Sequence, residues 1–118
     1  MESNPEELEL VRKALTLGYD GCVEWDTDVV ERLREELAKH SLGLIGVKKH
    51  VIEHVRNGGT VTQKKETREG WIERREYWYR VIVPLPMVFK KGLFVEIELV
   101  DADPELPEIE LVNAHEQK

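Results

Sequence analysis

The chain has 118 residues, 41% hydrophobic and 35% charged, with a formal net charge of −7. That length supports one hydrophobic core and not two, and regularly spaced apolar residues exclude a disordered polyelectrolyte. No apolar run approaches the roughly 20 residues of a membrane span. Cys22 is the single cysteine and excludes an intrachain disulfide, which fits a reducing cytoplasm.

Met1–Glu7 is acidic and polar and predicts no secretory signal. Asn4-Pro5-Glu6-Glu7 reads as a helix start. Asn4 caps, Pro5 suits the first helical position, and Glu7 sits where a capping-box acid belongs. Leu8, Val11 and Leu15 recur at helical spacing and Gly18 stops the run, so the first helix is expected over 5–17. Cys22–Trp25 reads as a short strand or an extended entry. Asp26 or Thr27 then caps a second helix, with Val29, Val30, Leu33 and Leu37 on its apolar face, ending near Lys39-His40. A third helix is expected over 44–56 from Leu44, Val47, Val51 and Val55, stopped by Asn57-Gly58-Gly59.

Beyond Gly59 the apolar period changes from 3.6 to 2. Thr60–Arg68 alternates weakly, is polar on both faces, and reads as an edge strand. Glu69-Gly70 reads as a hairpin turn, Trp71–Val83 as a long strand, and Lys90-Lys91-Gly92 as the next turn. Leu93, Val95, Ile97 and Leu99 share a strand face, with Glu96 and Glu98 on the other. Glu108–Ala114 is the last strand, and His115–Lys118 a disordered tail. The expected fold is α+β: N-terminal helices packed on one face of a four-stranded antiparallel meander. It is a single domain over 1–118, with an extra helix in 1–19, a helical part in 20–59, a sheet in 60–114 and a tail at 115–118.

Charge is unevenly distributed. Residues 1–47 carry a net −6, residues 48–91 a net +6 and residues 92–118 a net −7. A basic centre between acidic ends either faces an anionic partner or neutralises the chain's own acids. On strands, Lys64, Lys65, Arg68, Arg74, Arg75 and Arg80 interleave with Trp78, Tyr77 and Tyr79. Cations meet phosphates and rings stack on bases, so this pattern suits single-stranded RNA. The competing reading is cross-strand pairing with Glu66, Glu69, Glu73 and Glu76.

His50-Val51-Ile52-Glu53-His54 matches the H-x-x-E-H pattern of inverted zinc peptidases, but the further acidic ligand and cleft are not evident. The bland alternative is two histidines on an exposed helix flank. His40, His54 and His115, with Glu66, Tyr77 and Tyr79, supply groups for acid–base chemistry. Metal-free RNA cleavage needs a base, an acid and a cation at the crowded phosphorane. Cys22 reads as a small core residue. Glu and Lys/Arg are abundant and Asn, Gln, Cys and Met scarce, a balance suggesting a thermophile.

Three segments carry a resemblance to the RelE/ParE-type toxin superfamily, in its BrnT and DUF4258 branches. Val23-Glu24-Trp25-Asp26 is similar to a hydrophobic-x-Trp-Asp entry before a helix. Lys39-His40 resembles a Lys-His-Gly step, with Ser41 in place of the glycine. Ile109–His115 resembles a closing strand, with His115 where an arginine would stand. The resemblance implies a small, basic-faced RelE-like domain that cuts or binds RNA and is held inactive by an antitoxin-like protein partner; a cytoplasmic location and a homodimer are the accompanying expectations. His115 is the position carried over by motif. The residues expected to serve a metal-independent endoribonuclease are His54, Tyr79, Arg80 and His115 for catalysis. Lys64, Lys65, Arg68, Arg74 and Arg75 are expected to hold RNA, with no metal or cofactor. The alternative class is a non-catalytic protein-interaction module, or a subunit of a larger assembly, that binds through the Thr60–Arg68 edge.

Overall fold

In the computed structural model, which describes residues 3–118, the first helix forms as its sequence dictates. Helix α1 runs Pro5–Leu17. The Asn4 side chain accepts the Glu7 N–H at 3.1 Å, and Gly18 closes the helix in the left-handed region at φ 66°. Met1 and Glu2, part of the expected non-signal N-terminus, lie outside the described residues. Strand β1 (Val23–Trp25) leads through a turn at 26–29 into α2 (Val30–Ala38) and then α3 (Leu44–Arg56). Helix α2 has no side-chain cap. Asp26 instead accepts the Asp28 N–H at 2.9 Å, one turn early. Strands β2 (Thr62–Lys65), β3 (Tyr77–Leu85), β4 (Phe89–Asp101) and β5 (Glu108–Glu116) follow.

The expected four-stranded antiparallel meander is corrected to a five-stranded mixed sheet in the order β1-β5-β4-β3-β2. Strands β2 to β5 do form an antiparallel meander, with Thr62 opposite Arg80, Val81 opposite Val95 and Val95 opposite Ala114. The addition is β1, which pairs parallel to β5, Val23 with Ile109 and Trp25 with Leu111. Three residues are too few to show an alternation. Their partner lies far along the chain, so local pattern does not reveal the pairing.

Two expected turns also move. Glu69-Gly70 is not the tip of a tight hairpin. Residues 66–76 form one irregular loop whose ends meet where the Glu66 N–H donates to the Glu76 carbonyl at 2.8 Å. The β3–β4 turn lies at Pro86–Val88. Lys90-Lys91-Gly92 is a register irregularity inside β4, with Gly92 at φ 94°. The expected tail begins late, since His115 and Glu116 belong to β5 and the Gln117 N–H still reaches the Gly92 carbonyl at 2.9 Å.

The core lies between the helices and one sheet face. Val11, Leu15, Leu33, Leu37, Val47 and Val51 come from the helices. Tyr79, Val81, Val95, Ile97, Ile109 and Leu111 come from the strands, all at most 2% exposed. Each fully buried Val, Leu or Ile side chain stabilises the fold by about 1.5–3 kcal/mol relative to exposure. Cys22 joins this cluster, as expected of a free core cysteine, and burial raises its thiol pKa. Among the described residues no helix covers the other sheet face. It presents Trp78, Arg80 and Ile82 from β3, Phe94, Glu96 and Glu98 from β4, and Glu110 and His115 from β5.

Candidate functional site

Loop 66–76 folds over part of that open face and places three arginines on acids of β4. Glu66 starts the loop with its side chain fully buried. Its two oxygens accept from Arg68 at 3.1 Å each, and Oε1 also accepts from Arg75 Nε at 3.0 Å. Arg68 also donates to Glu96 Oε1 at 3.3 Å and Oε2 at 2.9 Å, and Arg75 Nη2 donates to Glu96 Oε2 at 2.6 Å. Arg74 Nη2 donates to Glu98 Oε2 at 2.6 Å and lies 3.9 Å from Asp26 Oδ2.

Trp71 organises the arginines from the loop side. Its ring centroid lies 4.5 Å from the Arg75 guanidinium carbon, 4.9 Å from that of Arg74 and 5.9 Å from that of Arg68. Arg68 also covers Trp78 at 5.1 Å, so it is sandwiched between loop and sheet. Trp78 continues to Phe94 at 6.2 Å, and Phe94 stacks on His115 at 4.6 Å with 14° between planes.

The electrostatics follow. Burial alone raises the Glu66 pKa, but the hydrogen bonds and charges of Arg68 and Arg75 outweigh it and hold the carboxyl below its ordinary value. Arg68 is pushed further above its own value, first by the Glu96 hydrogen bond and then, against burial, by Glu66. The Glu98 hydrogen bond does the same for Arg74. Glu110 shifts the other way. Burial raises it, and the carboxylates of Asp26 and Glu98 add to that. Glu110 lies directly between Glu24 of β1 and Glu98 of β4 in register, three acids abreast.

The expected RNA-holding residues separate into two groups. Arg68, Arg74 and Arg75 are each bound to carboxylates. At each of them a phosphate would have to displace a carboxylate already in place, and at the buried Arg75 breaking the pair costs about 3–5 kcal/mol. Lys65 pairs with Glu76 at 3.1 Å and covers Tyr77 at 5.2 Å. Lys64 is exposed on β2, and Arg80 lies on the open face opposite Glu96 in register.

The expected proton-moving residues do not share a site. Tyr79 points into the helix-covered core. Its hydroxyl donates to Glu7 Oε1 at 2.7 Å and accepts from Gln63 Nε2 at 3.0 Å. Burial, followed by the Glu7 hydrogen bond, pushes its phenol far above the ordinary value. His54 stands on α3 against Gly59, in the helix layer. Arg80 and His115 lie on the opposite sheet face, so the sheet separates the four candidates. Among the described residues no group of three or more His, Cys, Asp or Glu is arranged to hold a metal ion; His50 is exposed and His54 half-buried on α3.

Sequence reasoning missed Glu96, Glu98 and Asp26. An alternating Val95-Glu96-Ile97-Glu98 reads as a half-solvated strand, yet both glutamates are 5% exposed and Asp26 is 7% exposed. The available signal was the cluster Trp71, Arg74 and Arg75, too rich in large groups to be only a solvated strand. Glu69 and Glu73, expected to neutralise the cations, are exposed loop residues.

The three segments that carry the RelE/ParE-type resemblance adjoin in space. Val23–Trp25 pairs with Ile109–Leu111, and Lys39, His40 and His115 line one cavity of about 280 Å³. No protein-family model, curated protein or solved structure gives a significant match to this chain.

Proposed function

We propose that this chain is a non-catalytic interaction module that binds an extended partner segment through an edge of its sheet. The observation that carries this reading is the neutralisation of Arg68, Arg74 and Arg75 by Glu66, Glu96 and Glu98. A ribonuclease needs those cations uncancelled beside a base and an acid. Instead, Tyr79 and His54 lie on the other side of the sheet from Arg80 and His115. The lattice fastens loop 66–76 to β4 and makes the open face rigid, which is what a docking scaffold needs. The test is incubation of structured and unstructured RNA with the wild type, Arg80→Ala and His115→Ala. Intact RNA in every lane is expected; cleavage by the wild type that either variant loses overturns the reading.

A second reading is binding of single-stranded RNA without cleavage, as a degenerate relative of the RelE/ParE-type toxins with an antitoxin-like partner. Trp78, Phe94 and His115 form a continuous aromatic line on the open face, and neither Arg80 nor Lys64 has an ion-pair partner among the described residues. Rings and free cations on one sheet face suit unstacked bases and phosphates. The chain's net −7 opposes long-range attraction to a polyanion. Saturable binding of a labelled oligouridylate, lost in Phe94→Ala, would favour it.

A further inference from the structure

We infer that the hollow between α3 and the end of β1 is a binding site for a small organic carboxylate with an aromatic or branched apolar body. This goes beyond the interaction-module reading and does not depend on it. The hollow has a volume of about 540 Å³, with Trp25, Ile45 and Ile52 as its apolar wall and Asp20, Lys48 and Lys49 as its polar rim. A cleft of that size, mostly apolar with a few charged groups, suits a small organic molecule rather than a bare ion.

Helix α3 carries apolar residues on two faces. Val47, Val51 and Val55 fill the core. Ile45, Lys48, Lys49 and Ile52 recur at the spacing of a second face. Ile45 stands in the first turn of α3 and is 86% exposed, a large apolar side chain that the fold leaves in water. Trp25, half-buried, faces it from β1. Its indole N–H donates to the Leu44 carbonyl at 3.1 Å, which fixes the ring against the start of α3. Gly18 closes the hollow at the end of α1. A Cβ there would lie 3.1 Å from Ile52 Cγ2 and 2.8 Å from Arg56 Nη2, so bare backbone lets both side chains come close.

The polar groups select the ligand. The indole N–H is already engaged, so the wall offers only ring and methyl surface. Lys48 and Lys49 are donors without acceptor capacity. The complementary molecule therefore carries an anionic acceptor on an apolar body. Lys48 is held by one contact, 3.2 Å to the fully exposed Asp20. A pair in water holds little free energy, so a carboxylate can take the ammonium from it. The contrast is with Arg75, whose acids are buried with it.

The local charge has the required sign. Two lysines stand against one aspartate on the rim, in a chain of net −7. Among the described residues Lys49 makes no ion pair, not even with Glu53 one turn along α3. Arg56 adds to the positive side. Its guanidinium donates to the Thr16 and Leu17 carbonyls at 2.7 and 2.8 Å, and no carboxylate among the described residues cancels it. The C-terminal dipole of α1 offsets that charge only in part.

The test titrates the full chain with naphthylacetate, its neutral amide and naphthylmethylamine, read by NMR at the Trp25 indole N–H and the Ile45 and Ile52 methyls. Naphthylacetate should bind saturably and shift those signals together. The amide and the amine should bind at least about tenfold more weakly, the loss expected when a charge-assisted bond is removed. Ile45→Asp alters an exposed side chain, so it should keep the wild-type melt and remove binding. Replacing both lysines, Lys48→Gln with Lys49→Gln, should abolish the preference for the carboxylate over the amide. Asp20→Asn, which frees Lys48, should tighten binding a few-fold. Equal binding of the three compounds, shifts confined to Phe94 and His115, or no saturation by naphthylacetate at millimolar concentration overturns the site. A capped glutamate–leucine peptide that shifts the same signals at lower concentration overturns the small-molecule assignment in favour of a protein partner. None of these outcomes bears on the RNA-cleavage test of the interaction module.

Discussion

Arg75 Nη2 lies 2.6 Å from Glu96 Oε2, and the two side chains are only 6% and 7% exposed. The same nitrogen is 3.0 Å from the fully buried Glu66 carboxylate. One guanidinium therefore helps to offset two buried acids, which it shares with Arg68. Its Nη1 has no hydrogen-bond partner among the described residues and lies 3.6 Å from Glu98 Oε1. Arg75→Ala should cost about 3–5 kcal/mol, the range for removing one side of a buried pair. Arg80→Ala, which breaks no ion pair among the described residues, should cost less than about 1 kcal/mol. Urea unfolding of both variants checks the contrast; equal midpoints would mean that the lattice does not fasten the loop.

The Glu66 carboxyl predicts acid sensitivity of known sign. Its folded pKa lies below the ordinary value, because the arginine bonds outweigh the opposing effect of burial. A depressed acid contributes stability that is complete above its unfolded pKa of about 4.3 and lost as pH falls through the lower folded value. Stability should therefore be flat in this contribution from about pH 8 to 6 and fall below about pH 4. Glu66→Gln should be destabilised at neutral pH and show a shallower acid limb. Unfolding midpoints across pH read both effects, and parallel limbs in wild type and variant would refute the assignment.

Glu110 predicts the opposite. It stands between Glu24 and Glu98, with burial and the acids of Asp26 and Glu98 raising its pKa. A raised carboxyl binds its proton more tightly when folded, so its ionisation weakens the fold as pH rises through the shifted value. Glu110→Gln should stabilise the protein at about pH 7 by roughly 0.2–1 kcal/mol, the scale of a relieved cross-strand repulsion. The gain should vanish near pH 4, where the wild-type group is already protonated. A variant less stable than wild type at neutral pH would show that Arg74 compensates the row fully.

The contrast between these groups shows what the chain made legible. Helices α1 and α3 could be read to the residue because their signals are local: Asn4-Pro5 at one start, Gly18 and Asn57-Gly58-Gly59 at the stops. The long β3 and β4 faces were legible from period 2. Loop 66–76 was not, because Trp71, Arg74 and Arg75 alternate as a strand would while their partner Glu96 lies 21 residues beyond Arg75. A glutamate on an alternating strand reads as solvated, and only tertiary placement of the loop buries it. Strand β1 was legible as a short strand or extended entry, but its parallel pairing to β5 was not, because the partner lies more than 80 residues along the chain. The charge blocks were a true signal with two explanations, and the structure realises internal neutralisation for three of the arginines.

Tyr79 carries the final prediction, because it separates a structural hydroxyl from a catalytic one. The hydroxyl donates to Glu7 in the first turn of α1 and accepts from Gln63 on β2, so it ties the N-terminal helix to the sheet edge. Glu7 was read as a capping-box acid; its Oε1 accepts from Tyr79, a tie between elements 72 residues apart. Tyr79→Phe removes a hydrogen bond to a charged acceptor and should cost about 1.5–3 kcal/mol. Hydrogen exchange should quicken in α1 and β2 and stay unchanged in loop 66–76, whose bonds run to β4. The phenol, raised by burial and by Glu7, should contribute nothing to the protein's ultraviolet ionisation step near the ordinary tyrosine value of about 10, so that step should be the same size in Tyr79→Phe as in the wild type. A smaller step in the variant, or exchange that quickens equally over the loop, would place Tyr79 in solvent contact and undo its assignment as the tie between α1 and β2.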